Sequence, residues 1–155
     1  MRVVVQRVRS ASVRINGHTY ASINAGLAVL VGVAQGDSNE DVDYLADKIA
    51  NLRILADDVG HMNRSVRDVG GDVLLVSEFT LIANTRKGRR PSFTGAESPK
   101  LASELINCLA CTLADAGVKV QTGKFQADMD IELINQGPVT IVIDSQQRHM
   151  PRRSS

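Results

Sequence analysis

Two cysteines, three histidines and one short run of cations are the residues whose types first suggest chemistry in this sequence. Cys108 and Cys111 form a C-x-x-C pair, a spacing used by metal knuckles and redox dithiols. They fall, however, within a stretch where Leu101, Leu105, Leu109 and Leu113 recur every four residues, the apolar face of a helix. A redox pair normally sits at a helix N-terminus, where the dipole lowers the thiol pKa. No further cysteine and no neighbouring histidine completes a metal set, so the pair reads as core and no metal site is expected. His18 follows a turn, His61 lies in a polar segment and His149 is in the polar tail. None stands in a local triad pattern, and all three read as surface residues. Any catalysis must then come from other groups.

Three further segments offer them. Ser77-Glu78-Phe79-Thr80-Leu81 puts two hydroxyls and one of the three Phe where an apolar run ends. A strand end frees backbone N–H groups, which can serve as oxyanion donors without a titratable side chain. The alternative is a plain strand edge facing solvent. Arg86-Lys87-Gly88-Arg89-Arg90 packs four cations into five residues of an otherwise balanced chain. Charge alone leaves two readings, a solvated loop and a phosphate-contacting loop. Asn135-Gln136-Gly137-Pro138-Val139-Thr140 places Gly-Pro between two strand-like runs, which reads first as a turn. With a cis peptide, its two carbonyls would project together as an acceptor pair.

The elements that must position these residues are legible from periodicity. Val3–Ile15 alternates as a strand, Asn16-Gly17 is a hairpin turn, and His18–Ile23 is its second strand. Leu27–Ala34 is an apolar run suited to a strand buried on both faces. Asp37 and Ser38 cap a helix whose apolar face is Val42, Leu45, Ile49 and Leu52, ending near Leu55. Asp57–Gly60 is a turn, Val73–Leu81 a further strand, and 83–95 a loop. Ser98-Pro99 opens a second helix that Gly117 terminates. Val118–Thr122, Met129–Asn135 and Val139–Asp144 close the chain as strands, with Gln136-Gly137-Pro138 as the turn between the last two. The arrangement predicts one α/β or α+β domain over residues 1–145, with the helices on one side of a sheet and a polar, frayed tail over 146–155.

Composition narrows the partners. The 155 residues match one domain at roughly 150 residues each, and a chain this long buries about 70% of its unfolded surface. With two Tyr, three Phe and no Trp, the core must be aliphatic. Scarce rings weigh against a base-stacking platform, and a net charge of +1 leaves nucleic acid to a local patch. No stretch is long and apolar enough to span a bilayer, and no targeting signal opens the chain. No membrane partner is expected. Two cysteines make no disulfide framework, so the cytoplasm is the expected compartment.

In order and spacing the segments resemble one family, D-aminoacyl-tRNA deacylase. The resemblance runs through Val5-Gln6-Arg7-Val8, Ala11-Ser12-Val13, Gly70-Gly71-Asp72-Val73 and Ser77–Leu81. It continues through Arg90-Pro91-Ser92-Phe93, Gln121-Thr122-Gly123, Ala127-Asp128-Met129 and Asn135–Thr140. It implies a mixed, largely antiparallel sheet curling into a barrel-like core beside two helices. It implies a cofactor-free hydrolase that frees a D-amino acid from the 3′ end of tRNA, and a homodimer with the active site at the subunit interface. The catalytic stretch would be Ser77, Glu78, Phe79 and Thr80, with Phe79 and Thr80 offering backbone N–H groups. Gly137 and Pro138, held by Arg7, would take the substrate α-amino group and exclude an L side chain. Glycyl-tRNA would pass that filter. Phe79 and Met129 would meet the terminal adenine, and Arg86, Lys87, Arg89 and Arg90 the tRNA backbone.

Thr80 is the obvious nucleophile by type, yet nothing near it in the sequence looks able to activate its hydroxyl; the resemblance implies instead that water attacks, assisted by the terminal 2′-OH of the RNA. One position departs from the family pattern: Glu78 stands where Gln is usual, and a carboxylate pointing inward would oppose an oxyanion. Two other readings compete. A catalytically inactive tRNA- or DNA-binding module on the same fold is opposed by the intact Gly137-Pro138. A small-molecule hydrolase is opposed by the cation loop.

Overall fold

The computed structural model describes residues 1–151. Strand β1 (Arg2–Ile15) is the organising element. Asn16 and Gly17 take the positive φ of a tight turn, 51° and 78°, and return the chain into β2 (His18–Ile23). The first half of β1 pairs antiparallel with β3 (Gly26–Gly32) and its second half with β2. Its other edge carries β8 (Asp130–Asp144), antiparallel along nearly the whole length. Beyond β3 the sheet continues in parallel through β6 (Asp72–Ser77) to β7 (Lys119–Thr122). β2 comes back against β6 and β7, so the mixed sheet nearly closes into a barrel. A small antiparallel pair, β4 (Leu55–Ala56) and β5 (Met62–Arg64), lies outside it.

The strands at the centre are buried on both faces, and alternate residues serve two cores. Val73 and Leu75 face one side with Val3, Val5, Leu27, Val29 and Val31. There they meet Val42, Leu45 and Ile49 of α1 (Asn39–Asn51) and Leu105, Leu109 and Leu113 of α2 (Pro99–Asp115). Leu74 and Val76 face the barrel interior with Val8, Val13 and Ala28. Neither core buries a ring completely; Tyr44 and Phe125 only pack against the first. Truncating a fully buried leucine such as Leu109 to Ala should cost about 2–5 kcal/mol.

Local signals set most boundaries. Ser38 caps α1 in a capping box with Asp41, whose carboxylate accepts the Ser38 N–H at 2.8 Å. Pro99 begins α2, and Gly117, at φ +87°, follows its end.

Three expectations about helix and strand extents are corrected. Helix α1 stops at Asn51 and not near Leu55, because Leu55 pairs with Arg64 in the small β4–β5 hairpin. The strand expected to reach Leu81 ends at Ser77. The Glu78 N–H bonds the Val31 carbonyl at 2.7 Å, and Phe79–Ile82 coils into a 3-10 turn. Gly32 makes room for it, since a Cβ there would stand 2.9 Å from the Glu78 carbonyl.

The third correction concerns the last two strands, which are one element. Gln136–Val139 stand opposite the single residue Arg7, so the Gly-Pro segment is a bulge and not a hairpin turn. Pairing with β1 resumes on both sides of it.

The polar tail expected to fray from Gln146 opens with a docked 3-10 turn, Ser145–His149. Arg148 pairs there with Asp41 and lies 3.6 Å from Glu40. Residues 152–155, the rest of that tail, lie outside the described residues. Among the described residues no helix is long and apolar enough to cross a membrane.

Candidate active site

The ends of β3 and β6, the 3-10 turn and the start of α2 enclose a cleft of about 570 Å³. Val31, Val76, Ile106 and Ile131 form apolar walls, and Ser77, Glu78 and Phe79 enter it from the end of β6. Met129 joins the lining from the approach to β8, and a Cβ on Gly123 would stand 3.0 Å from its Sδ. The Phe79 ring is 58% exposed and stands edge-on to Phe93, with centroids 5.2 Å apart. Half of its surface is thus free to meet a flat, apolar ligand group. The N–H groups of Phe79 and Thr80 have no hydrogen-bond partner among the described residues.

The Thr80 hydroxyl donates to the Glu78 carboxylate. The turn folds residue 80 back beside residue 78, so a carboxylate that the sequence reading did not pair with Thr80 stands at its hydroxyl. No imidazole joins them, because the three histidines are exposed and none lines the cleft. Glu97, also in the cleft wall, accepts the Ser98 N–H at 2.7 Å. That bond, ahead of the other influences on it, holds its carboxyl below the usual range.

Gly137 and Pro138 are exposed, lie outside this cleft and are joined by a cis peptide. The bulge they occupy is braced from both strands. Arg7 donates through Nε to the Gln136 carbonyl at 2.9 Å and through Nη1 to the Ile54 carbonyl at 2.8 Å. Asn135 closes the base. Its amide oxygen accepts the Val139 N–H at 2.8 Å, and its amide nitrogen reaches Thr140 Oγ1 at 2.9 Å and Gln6 Oε1 at 3.1 Å. Gly137 has φ +133°, and a Cβ there would stand 2.8 Å from Arg7 Nη2. Only glycine fits. Asn135 and Gln6 are residues to which sequence reasoning gave no role. The signal for Asn135 was its type and place, an amide side chain opening a Gly-Pro segment.

The cation loop is exposed throughout, from Arg86 to Arg90, and none of its cations is ion-paired among the described residues. It is tied at its neck by the Asn84–Ser92 bridge. It leaves the cleft wall at the 3-10 turn and returns to it at Ala96 and Glu97. Cys108 is partly buried against the helical core, as its helix position implies, whereas Cys111 faces solvent.

The family model described as D-Tyr-tRNA(Tyr) deacylase matches residues 4–144. A protein of Desulfatibacillum aliphaticivorans named D-aminoacyl-tRNA deacylase is 53% identical over 145 residues, covering 94% of this chain and 99% of its own. A solved structure titled c-Myc DNA Unwinding Element Binding Protein superposes with a TM-score of 0.88 at 35% identity, over 93% of this chain and 98% of that one. A second, titled as a probable eukaryotic D-amino acid tRNA deacylase, shares the fold at a TM-score of 0.80 and 16% identity, covering 92% and 97%. A match that takes in the cleft, the cation loop and the braced bulge together leaves one assignment: this chain belongs to the D-aminoacyl-tRNA deacylase family.

Proposed function

We propose that the chain, a deacylase of D-aminoacyl-tRNA by family, works by positioning and backbone electrostatics within one domain spanning residues 1–145. The observation that carries this reading is the pair of unpartnered N–H groups on Phe79 and Thr80, the first of which lines the cleft. Water attacks the ester carbonyl carbon, and the carbonyl oxygen takes up the negative charge between those two donors. The terminal 2′-OH of the tRNA assists, and the bond to the ribose O3′ breaks to release the free amino acid. An aminoacyl ester is already activated, so correct placement supplies much of what the reaction needs. Thr80 positions the substrate. A hydroxyl nucleophile ordinarily depends on an imidazole or amine base, and the carboxylate of Glu78 is neither.

Selection works by exclusion. The Gly137 and Pro138 carbonyls accept hydrogen bonds from the substrate α-amino group and leave no room for an L side chain. Glycyl-tRNA, with no side chain to exclude, is a second substrate. Because Gly137 and Pro138 lie outside the cleft of their own chain, the filter serves the cleft of a second copy. The active enzyme is then a homodimer with its site at the interface. The Phe79 ring and Met129 hold the terminal adenine, and the Arg86–Arg90 loop follows the RNA backbone. The compartment is the cytoplasm, where aminoacyl-tRNA is made and used.

The deciding assay is hydrolysis of matched D- and L-aminoacyl-tRNA by the purified protein. D-selective turnover is expected, and equal rates on both enantiomers would sink the chirality filter. A second reading, a nucleic-acid-binding module without turnover, draws on the name of the 35% identical structure and on the free cation loop. Tight RNA or DNA binding with no hydrolysis of either enantiomer would favour it.

A further inference from the structure

The 3-10 turn Phe79–Ile82 is held at both ends, and the second hold involves a residue outside the cleft. At its start, Glu78 is tied to Val31 and the turn lies on the bare backbone of Gly32. At its end stands the carbonyl of Leu81. The Asn84 N–H, which would continue the turn to the Leu81 carbonyl, bonds the Ser92 carbonyl at 2.8 Å instead, so the Leu81 carbonyl has no backbone donor among the described residues. Arg2 Nη1 supplies one at 2.9 Å.

Arg2 is in turn fixed from β8, the neighbour on the other edge of β1. It pairs with Gly32 of β3 and with Asp144 of β8 through its backbone. Its Nε and Nη2 both donate to Asp144 Oδ2, at 3.2 and 2.9 Å. The other Asp144 oxygen accepts the Gln146 N–H at 3.0 Å, so the carboxylate has little freedom. A planar guanidinium held along one edge by a fixed carboxylate delivers its remaining donor in a set direction. The first strand and the end of the last thereby grip the turn between them. Arg2 lines a second cleft of about 460 Å³, with Asn84, Arg86 and Gln146, and does not line the first.

We infer that Arg2, oriented by Asp144, is a positioning residue for deacylation, fixing the 3-10 turn so that the Phe79 and Thr80 N–H groups keep their place at the edge of the cleft. This rests on reading those two groups as oxyanion donors. Arg2 acts through the Leu81 carbonyl and touches no substrate in the cleft. Its removal therefore lowers the rate of the chemical step and leaves substrate binding alone.

The test compares wild type, Arg2→Met and Arg2→Lys on D-aminoacyl-tRNA. Arg2→Met should lower kcat about tenfold, with KM unchanged, since small misplacements of oriented groups are costly. Arg2→Lys, whose ammonium reaches one partner and not both, should fall between and covers the case where the Met variant folds poorly. Amide NMR with a phosphonate analogue of D-aminoacyl-adenosine, a tetrahedral anion, reads the donors directly. In the wild type the Phe79 and Thr80 amide protons should move downfield, and in Arg2→Met they should move less. Equal displacement in both, wild-type kcat in a less stable variant, or a raised KM at unchanged kcat would each overturn the role of Arg2. No displacement in the wild type would instead overturn the oxyanion reading and this inference with it.

Discussion

The hydroxyl of Thr80 donates to the carboxylate of Glu78, two residues earlier, where the 3-10 turn folds the chain back on itself. The acidic group thus stands in the cleft wall and engages the Thr80 hydroxyl, one of the two in this segment that could have been the nucleophile. As a hydrogen-bond acceptor it orients Thr80 and needs no proton transfer to do so. Glu78→Gln keeps an acceptor oxygen at that place and should retain D-specific deacylation. Complete loss of turnover in that variant would give the carboxylate an active part. Thr80→Ala should reduce kcat by no more than about tenfold, whereas removing a true hydroxyl nucleophile costs on the order of 10⁶. Complete inactivity with an intact fold would make Thr80 the nucleophile.

The bulge carrying Gly137 and Pro138 depends on Arg7, whose side chain holds the Gln136 and Ile54 carbonyls together. Arg7→Met removes both donors and should lower kcat/KM on D-aminoacyl-tRNA by about a hundredfold, the scale of a misplaced contact. The ratio of D to L turnover should narrow as well. Gly137→Ala forces a side chain against Arg7 Nη2 at positive φ and should act in the same direction. Wild-type selectivity in both variants would show that the bulge has no part in choosing the enantiomer.

Replacing Arg86, Lys87, Arg89 and Arg90 by Ala should weaken tRNA binding without regard to the esterified amino acid. The slope of log affinity against log salt should flatten by roughly 0.7–0.9 for each phosphate that the loop no longer neutralises. Titrations of wild type and variant at several salt concentrations check this. An unchanged slope would leave the segment a solvated loop.

Acid sensitivity should centre on Asp41. Its burial would raise the carboxyl pKa, but hydrogen bonds from Arg148, Ser145 and the Ser38 N–H together hold it well below its ordinary 3.8. A group depressed in the folded state contributes stability above its unfolded pKa and loses it as pH falls below that value. Thermal unfolding followed downward from pH 7 should therefore show Tm falling increasingly below about pH 4. Asp41→Asn should unfold roughly 5 °C lower at pH 7 and show a shallower acid limb. An acid limb identical to wild type would place the sensitivity elsewhere.

Much of the fold was legible residue by residue. The Asn16-Gly17 turn, the Ser38 and Ser98-Pro99 helix starts and the leucines of α2 stand where periodicity and capping chemistry put them. The apolar runs Leu27–Ala34 and Val73–Leu81 were also legible as strands buried on both faces, although the strands end at Gly32 and Ser77. The site segments were likewise visible as departures from pattern: hydroxyls at a strand end, Gly-Pro inside a strand-like run, cations crowded into one loop.

What the sequence determined by itself was the set of elements and the residue types at the site, because capping, turn formation and burial periodicity act over a few neighbouring residues. The tertiary structure decided the rest. Whether Gln136–Val139 is a turn or a bulge depends on β1 continuing to pair on both sides of it, and Arg7 meets Gln136 across 129 positions of chain. The end of β6 at Ser77 depends on Val31 and Gly32, and the hold on Leu81 depends on Arg2 and Asp144. Such contacts are set by strand register between distant segments, which no local window of sequence contains.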